Sequence, residues 1–324
     1  MEADIKSEKK KRTVSAVIPN WNRKTDLREA LLAIKAQTYP VSEIIVVDNN
    51  SPDGTREMIE EEFPDVMFIQ SPHNIVIQAL NIGAKTAKGE IIYHQDNDGV
   101  LPPNGIEEMM KVFDLDPRIA VVHCKNLYYD TGEVFDPYRW FTPEEHASDR
   151  IFDVPTFHGN GALIRKDVLE EINYIEPEIL LYQFERNISA KAIDRGYRIV
   201  YYPKVSIRHK ISRESRDPGH RMYITMTGGW WYLARFYPVG LALKKSFYYL
   251  IFFILLTIKY RTLKDFYRGI LDTLLGLPQV LRGRTVLSPE TVKFLESKPY
   301  ETSMIIYGSI DTIRKWIKSK LGRG

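Results

Sequence analysis

Ile44-Ile45-Val46-Val47 is β-branched on both faces and runs straight into Asp48-Asn49-Asn50-Ser51-Pro52-Asp53-Gly54. A strand apolar on both faces has to be covered on both, which is the condition of a parallel sheet held between helical layers. The pattern recurs along the chain. Val14–Ile18 is a short apolar run ending in Pro19-Asn20, and Leu27, Ala30, Leu31 and Ile34 follow at helical spacing before Tyr39-Pro40. Strands are expected at 66–69, 90–94 and 119–123, and helices at 55–63, 75–87 and near 103–113. Such alternation implies βαβ crossovers, and ligands in these sheets sit beyond the carboxyl ends of the strands.

Two of those ends are acidic: Asp48, and Asp96-Asn97-Asp98. Two carboxylates two residues apart on a loop leaving a buried strand can present oxygens to Mg²⁺ or Mn²⁺, cations that favour carboxylates together with substrate phosphates. Asp-Asn-Asp-Gly is also good turn composition, and Asp48 could simply cap the next helix. Neither G-x-G-x-x-G nor G-x-x-x-x-G-K-[ST] occurs in the chain. The usual dinucleotide and P-loop sites therefore lack their phosphate cradle.

Three stretches, in this order, resemble family 2 glycosyltransferases of the GT-A fold. They are Val17-Ile18-Pro19-Asn20-Trp21-Asn22-Arg23, then Gln37–Pro40 with Glu43–Thr55, then Asn74 and Ala84–Glu90 ahead of Asp96-Asn97-Asp98. The resemblance covers roughly residues 14–209. It implies a Rossmann-like α/β fold with a mostly parallel sheet and helices on both faces. By the same resemblance Pro19 and Asn22 shape the nucleotide pocket and Asp48 hydrogen-bonds the base. Asn74 lies on the donor side, Asp96 faces the ribose or sugar, and Asp98 holds the Mg²⁺ or Mn²⁺ that bridges the diphosphate. The Asp-Asn-Asn-Ser loop is closer to glycan-extending, rhamnosyltransferase-like members than to polyprenyl-phosphate sugar synthases, which tend towards Asp-Asp-Gly-Ser.

On the acceptor side, His158–Leu169 is similar to the family's glycine-rich strand and short helix. Gly159 and Gly161 would let backbone approach the sugar-diphosphate, or would serve a bend in the strand. The family segment that usually reads Glu-Asp-x-Asp is represented by Phe184-Glu185-Arg186-Asn187, so one carboxylate is left. Glu185 is the expected catalytic base of an inverting transfer; the other reading is an ion pair with Arg186 or Arg195. The loss of two acids leaves open a non-catalytic subunit that binds a sugar nucleotide or glycan. His209 is expected at the metal and diphosphate. Arg208, Lys210 and Arg213, beside it, are candidate phosphate contacts.

Composition enters at the C-terminal third. The chain of 324 residues carries a net charge of +3, but residues 230–324 hold 16 Lys+Arg against 6 Asp+Glu, a net +10, leaving −7 for the rest. An anionic partner for that region is implied. Ser246–Ile258 is 13 residues without a charge, flanked by Lys244-Lys245 and Lys259-Arg261. It is short for a bilayer span, and extension back to Tyr237 takes in both lysines. Ile306, Ile310, Ile313, Ile317 and Leu321 share one helical face among basic residues. These features point to a helical region lying on an anionic membrane surface; burial against the catalytic domain, or a true span, are the alternatives. No recognised nucleic-acid motif accompanies the charge, so no nucleic-acid partner is expected.

One cysteine, Cys124, excludes a disulfide framework and fits a reducing compartment, and Met1–Arg12 is too charged for a secretory leader. The expected organisation is a charged tail (1–13), a GT-A domain (14–228) and a basic, apolar helical region (229–324). The expected activity is transfer of a hexose from a nucleoside-diphosphate sugar to a hydroxyl of a lipid-linked or cell-surface glycan, at the cytoplasmic face of the cell membrane.

Overall fold

The computed structural model describes residues 11–136, 141–179, 181, 183–211 and 217–297. Tyr182, Arg213 and the amphipathic stretch Ile306–Leu321 lie outside them.

The chain alternates from the start: β1 (Val14–Asn20), α1 (Lys24–Lys35), β2 (Val41–Asp48), α2 (Thr55–Glu62), β3 (Met67–Gln70), α3 (Gln78–Thr86) and β4 (Ile91–His94). A short β5 (Gly99–Val100), α4 (Gly105–Phe113) and the long β6 (Ile119–Tyr128) follow. Next come α5 (Pro143–His146), β7 (Phe152–Asp153), β8 (Ala162–Arg165), α6 (Lys166–Glu171), α7 (Phe184–Asp194) and β9 (Arg198–His209). Four helices close the described chain: α8 (Pro218–Phe236), α9 (Val239–Tyr260), α10 (Leu263–Arg282) and α11 (Pro289–Ser297).

The strands form one nine-stranded mixed sheet in the order β3-β2-β1-β4-β8-β6-β9-β5, with β7 on β9. The β3-β2-β1-β4 half is wholly parallel, and β6 runs parallel to β9. Antiparallel pairing enters where β8 is inserted between β4 and β6 and where β5 and β7 meet β9.

The β2 sequence shows why this is stable. Ile44 and Val46 point into one apolar cluster, with Leu27 and Leu31 of α1, while Ile45 and Val47 point into the other, with Leu80 and Ala84 of α3. Each such side chain, fully buried, is worth about 1.5–3 kcal/mol, and period-two geometry divides them between the two faces. The carboxyl ends of β1, β2 and β4 are aligned by register: Asn20 lies opposite Asp48, and Val17 opposite His94. All three strands therefore deliver their following loops to one edge.

A third apolar cluster belongs to the C-terminal helices. Met226, Leu233 and Phe236 of α8 pack with Tyr249 and Phe253 of α9, Val292 and Leu295 of α11, and Ala190 of α7. The compositional change near Gly228 falls inside α8, not in a linker. Arg186 of α7 lies over the Tyr232 ring at 4.1 Å, and Trp231 Nε1 donates to the Thr273 carbonyl at 3.1 Å. The C-terminal helices are thus docked on the domain through α8.

The apolar run is longer than its charge-free core suggested. α9 is a continuous helix of 22 residues, long and apolar enough by length and composition to cross a membrane. Lys245 is turned inward to Glu296 at 2.7 Å, so it does not interrupt the outer face. That face carries Leu243, Phe247, Ile251, Ile254 and Ile258, and α10 adds Tyr267, Leu271, Leu274 and Leu275, all exposed. Apolar exposure on this scale marks an interaction surface.

Candidate donor and metal site

The β1–α1, β2–α2 and β4–β5 loops meet at the aligned strand ends and line a cleft of about 310 Å³. Asn20 ties two of these loops together. Its Nδ2 donates to Asp48 Oδ1 at 2.7 Å, and its Oδ1 accepts from Asn97 Nδ2 at 2.6 Å. Asp48 is only 1% exposed. Its carboxylate also accepts from the Ser51 N–H and Ser51 Oγ, both at 2.7 Å. Both oxygens are committed to shaping the loop, and Asp48 is not among the residues lining the cleft. These bonds brace the loop that Asp48 itself opens; they do not cap α2, whose N-cap position is Gly54.

Asp96 and Asp98 do line the cleft, with Pro19, Asn74 and His209. Asp96, Asp98 and His209 each offer a ligand atom, all within 4.8 Å of one another. His209 comes from the last position of β9, whose antiparallel register sets it opposite Gly99. Its Nε2 lies 3.1 Å from Asp98 Oδ1. Asp98 Oδ1 is buried and accepts no hydrogen bond, as expected of an oxygen shaped for another ligand. The two carboxylates suit Mg²⁺ or Mn²⁺, and the imidazole favours the transition metal Mn²⁺ over Mg²⁺.

The Asp96 side chain is 46% accessible, but it lies within the cleft, where the protein around its carboxylate displaces part of its water. That burial, and then the Asp98 carboxylate beside it, push Asp96 up to about 6. Its backbone N–H donates to Asn160 Oδ1 at 3.2 Å, which joins the acidic loop to the glycine-rich segment.

The glycines have distinct reasons. Gly161 has φ +82, and a Cβ there would stand 2.7 Å from Cys124 Sγ; the position demands both the left-handed backbone and the missing side chain. At Gly159 a Cβ would stand 2.4 Å from the Phe184 ring and 3.3 Å from Glu185 Oε1. Gly159 therefore admits the Glu185 carboxylate beside the backbone next to Asn160.

Glu185 is half-buried at the start of α7. Burial, reinforced by the Asp96 charge and opposed by backbone N–H groups, pushes it up to about 8. It pairs with neither candidate arginine: Arg195 is bound to Glu171 at 3.4 Å, and Arg186 donates to Gln183 Oε1 at 2.9 Å. Phe184 and Asn187, at the places of the two missing acids, are buried, Phe184 edge-on to His94 at 5.6 Å. Cys124 is buried too, its thiol pushed up to about 12, and takes no part.

Asn22 keeps its place by backbone geometry. It has φ +51, and its N–H donates to Ser51 Oγ at 2.9 Å, outside the lining of the cleft. Lys210 and Arg208 are engaged elsewhere, Lys210 with Asp26 at 3.2 Å and with Glu29, and Arg208 with the Tyr129 carbonyl at 3.0 Å. Sequence reasoning did not single out Arg23, Trp21 or Asn49, all of which line the cleft. A lone arginine or an exposed tryptophan on a loop carries no periodic signal.

The model of the family described as "Glycosyl transferase family 2" matches residues 15–173. Residues 15–173 are a family 2 glycosyltransferase domain. An uncharacterized glycosyltransferase of Rickettsia prowazekii is 33% identical over 206 residues, 61% of this chain and 64% of that protein. The O-antigen chain rhamnosyltransferase RfbN of Salmonella typhimurium is 23% identical, over 65% of this chain and 71% of its own. An uncharacterized glycosyltransferase of Nostoc sp. is 27% identical and is spanned over 54% of its length. The chain thus spans between about half and just under two thirds of the first curated relatives it matches. Among solved structures, the mannosyltransferase PcManGT from Pyrobaculum calidifontis, in complex with GDP-Man and Mn²⁺, matches with TM-score 0.56 at 18% identity, over 97% of this chain and 88% of that one. GalNAc-T7 with UDP, GalNAc and Mn²⁺ matches with TM-score 0.54 at 18% identity, over 68% of this chain and 48% of that one. These structural likenesses show that the family 2 domain has the GT-A fold.

Proposed function

We propose that this chain is an inverting, metal-dependent glycosyltransferase. It moves a sugar from a nucleoside-diphosphate donor to a hydroxyl of a lipid-linked or cell-surface glycan at a membrane surface. The observation that carries this reading is the convergence of Asp96, Asp98 and His209 in the cleft at the strand ends of a family 2 domain. The solved relatives with Mn²⁺ and a nucleotide or sugar nucleotide support the donor class.

Asp98, His209 and Asp96 would hold the cation, which supplies positive charge for the leaving diphosphate. The chain's own residues do the remainder. Pro19 and Asn74 wall the donor cleft, and Asn20, through Asp48 and Asn97, keeps its two loops in register. Glu185, once ionised, takes the proton of the acceptor hydroxyl as that oxygen bonds to the anomeric carbon, while the bond from that carbon to the diphosphate oxygen breaks on the opposite face. Gly159 keeps the route to Glu185 open.

The α9–α10 face supports membrane docking parallel to the surface. α9 buries Tyr249, Phe252, Phe253 and Thr257 against the rest of the protein, so only its outer side is available to lipid. A helix held along a folded domain on one side and apolar on the other is suited to lie in the membrane interface. Docking there would bring the domain to the membrane that anchors its acceptors, and the cytoplasmic leaflet, with its anionic lipid, suits the basic C-terminal third.

Thermal shift with UDP, GDP and dTDP, each with Mn²⁺ and with EDTA, tests the donor reading. Stabilisation by at least one nucleotide only when Mn²⁺ is present is expected. No stabilisation by any of the three contradicts it.

A further inference from the structure

The two oxygens of Asp98 keep different company. Oδ2 receives Arg23 Nη1 in an ion pair, while Oδ1 faces His209 and accepts no hydrogen bond. Arg23 is itself fixed from two further sides. Its Nε donates to Asp26 Oδ2 at 2.8 Å, and its Nη2 donates to the Lys210 carbonyl at 2.9 Å. One guanidinium thus joins the β1–α1 loop, the Asp96-Asn97-Asp98 loop and the residue that follows His209. The planar fork of a guanidinium spreads its donors over three nitrogens in fixed directions, whereas the three donors of an ammonium all leave one nitrogen and cannot span acceptors this far apart with the same geometry.

We propose that Arg23 is a positioning residue for the divalent cation. By holding Oδ2 and the Lys210 carbonyl together it fixes the rotamer of Asp98 so that Oδ1 is offered beside His209 and Asp96, and it keeps the His209 strand end against the acidic loop. Partners outside the ligand set commonly tune metal sites in this way. The opposite role, a cation that occupies the site until metal displaces it, fits less well. Arg23 is pinned by acceptors other than Asp98, and it takes the oxygen turned away from His209. The inference rests on the reading that Asp96, Asp98 and His209 bind Mn²⁺.

Mn²⁺ alone, titrated into the full chain and followed by the EPR signal of the free ion, tests this without any substrate. Arg23→Met is expected to weaken Mn²⁺ binding about 10- to 100-fold, and Arg23→Lys to recover only part of the loss. Asp26→Asn, which removes one anchor of the guanidinium and no candidate ligand, is expected to weaken it a few-fold, and it decides the matter if Arg23→Met does not fold. Unchanged Mn²⁺ affinity in the folded Arg23 and Asp26 variants overturns the proposal, and tighter binding in Arg23→Met makes Arg23 a competitor instead. A wild-type chain that takes up no Mn²⁺, or an Asp98→Ala chain that binds it as well as wild type, defeats the metal-site reading itself and the proposal with it.

Discussion

His209 Nε2 lies 3.1 Å from Asp98 Oδ1, a meeting of two distant stretches of chain produced by a two-residue strand. β5 pairs antiparallel with the end of β9, placing Gly99 opposite His209 and Val100 opposite Arg208, and the Lys210 N–H donates to the Asp98 carbonyl at 2.9 Å. The backbone therefore fixes the separation of the two side chains before any ligand arrives. His209→Ala and Asp98→Ala should each lower Mn²⁺-dependent turnover by roughly 100-fold or more, the scale of losing one preorganised charge contact. Steady-state kinetics across a Mn²⁺ series would show it; a His209→Ala enzyme with unchanged turnover and unchanged Mn²⁺ requirement removes His209 from the site.

Glu185→Gln should lower kcat by about 10²- to 10⁴-fold, the usual contribution of a positioned base, with donor binding retained. The pH dependence follows from the direction of the shift. A base works ionised, and burial raises Glu185 from an ordinary 4.5 to about 8. Activity should therefore fall with decreasing pH well above the range of a normal glutamate. An acid limb at the ordinary glutamate position, with Glu185→Gln as active as wild type, assigns the proton transfer to another group.

Replacing Phe247 and Ile251 together by glutamate should release the chain from vesicles of phosphatidylcholine and phosphatidylglycerol. Both are exposed on the outer face of α9, Phe247 by 60%, so the fold is spared. Each apolar side chain withdrawn from lipid costs about 1.5–3 kcal/mol, and the pair should reduce partitioning by roughly 100-fold or more. Co-sedimentation gives the answer. Undiminished binding rejects this face as the membrane contact, and loss of a dimer in sizing columns assigns it to a second copy instead.

Gly161→Ala tests how rigidly the glycine-rich segment is held. With φ +82 and Cys124 Sγ 2.7 Å from the added Cβ, the change should cost about 1–3 kcal/mol and lower the melting temperature by several degrees. A variant melting with wild type would mean that this backbone can relax.

Much of this was legible in the residues. The β2 run announced a strand covered on both sides, and it packs into two separate clusters. The acidic strand end Asp96-Asn97-Asp98 marked a place where carboxylates gather, and His209 does lie with both within 4.8 Å. Less legible was anything depending on the partner of a side chain. Asp48 looks like Asp98 in the sequence, yet Asn20 and Ser51 consume its oxygens while Asp98 keeps one free of hydrogen bonds. Lys245 looked like an interruption of an apolar helix until Glu296 was seen to neutralise it from across the fold. Arg23 closed the first stretch that carries the resemblance, but no sequence pattern assigned it a role, since a single guanidinium gains meaning only from the three acceptors around it.

The central claim is sugar transfer at the cleft that holds Asp98 and His209, with Glu185 as the base. Release of nucleoside diphosphate from a panel of sugar nucleotides, with Mn²⁺ and a membrane lipid extract as acceptor, tests it most directly. Wild type should release nucleotide from at least one donor, dependent on Mn²⁺ and on the extract, while Asp98→Ala and Glu185→Gln fall to background. A wild-type chain that binds a donor yet turns over none of the panel would contradict the account and make the chain a sugar-nucleotide-binding subunit.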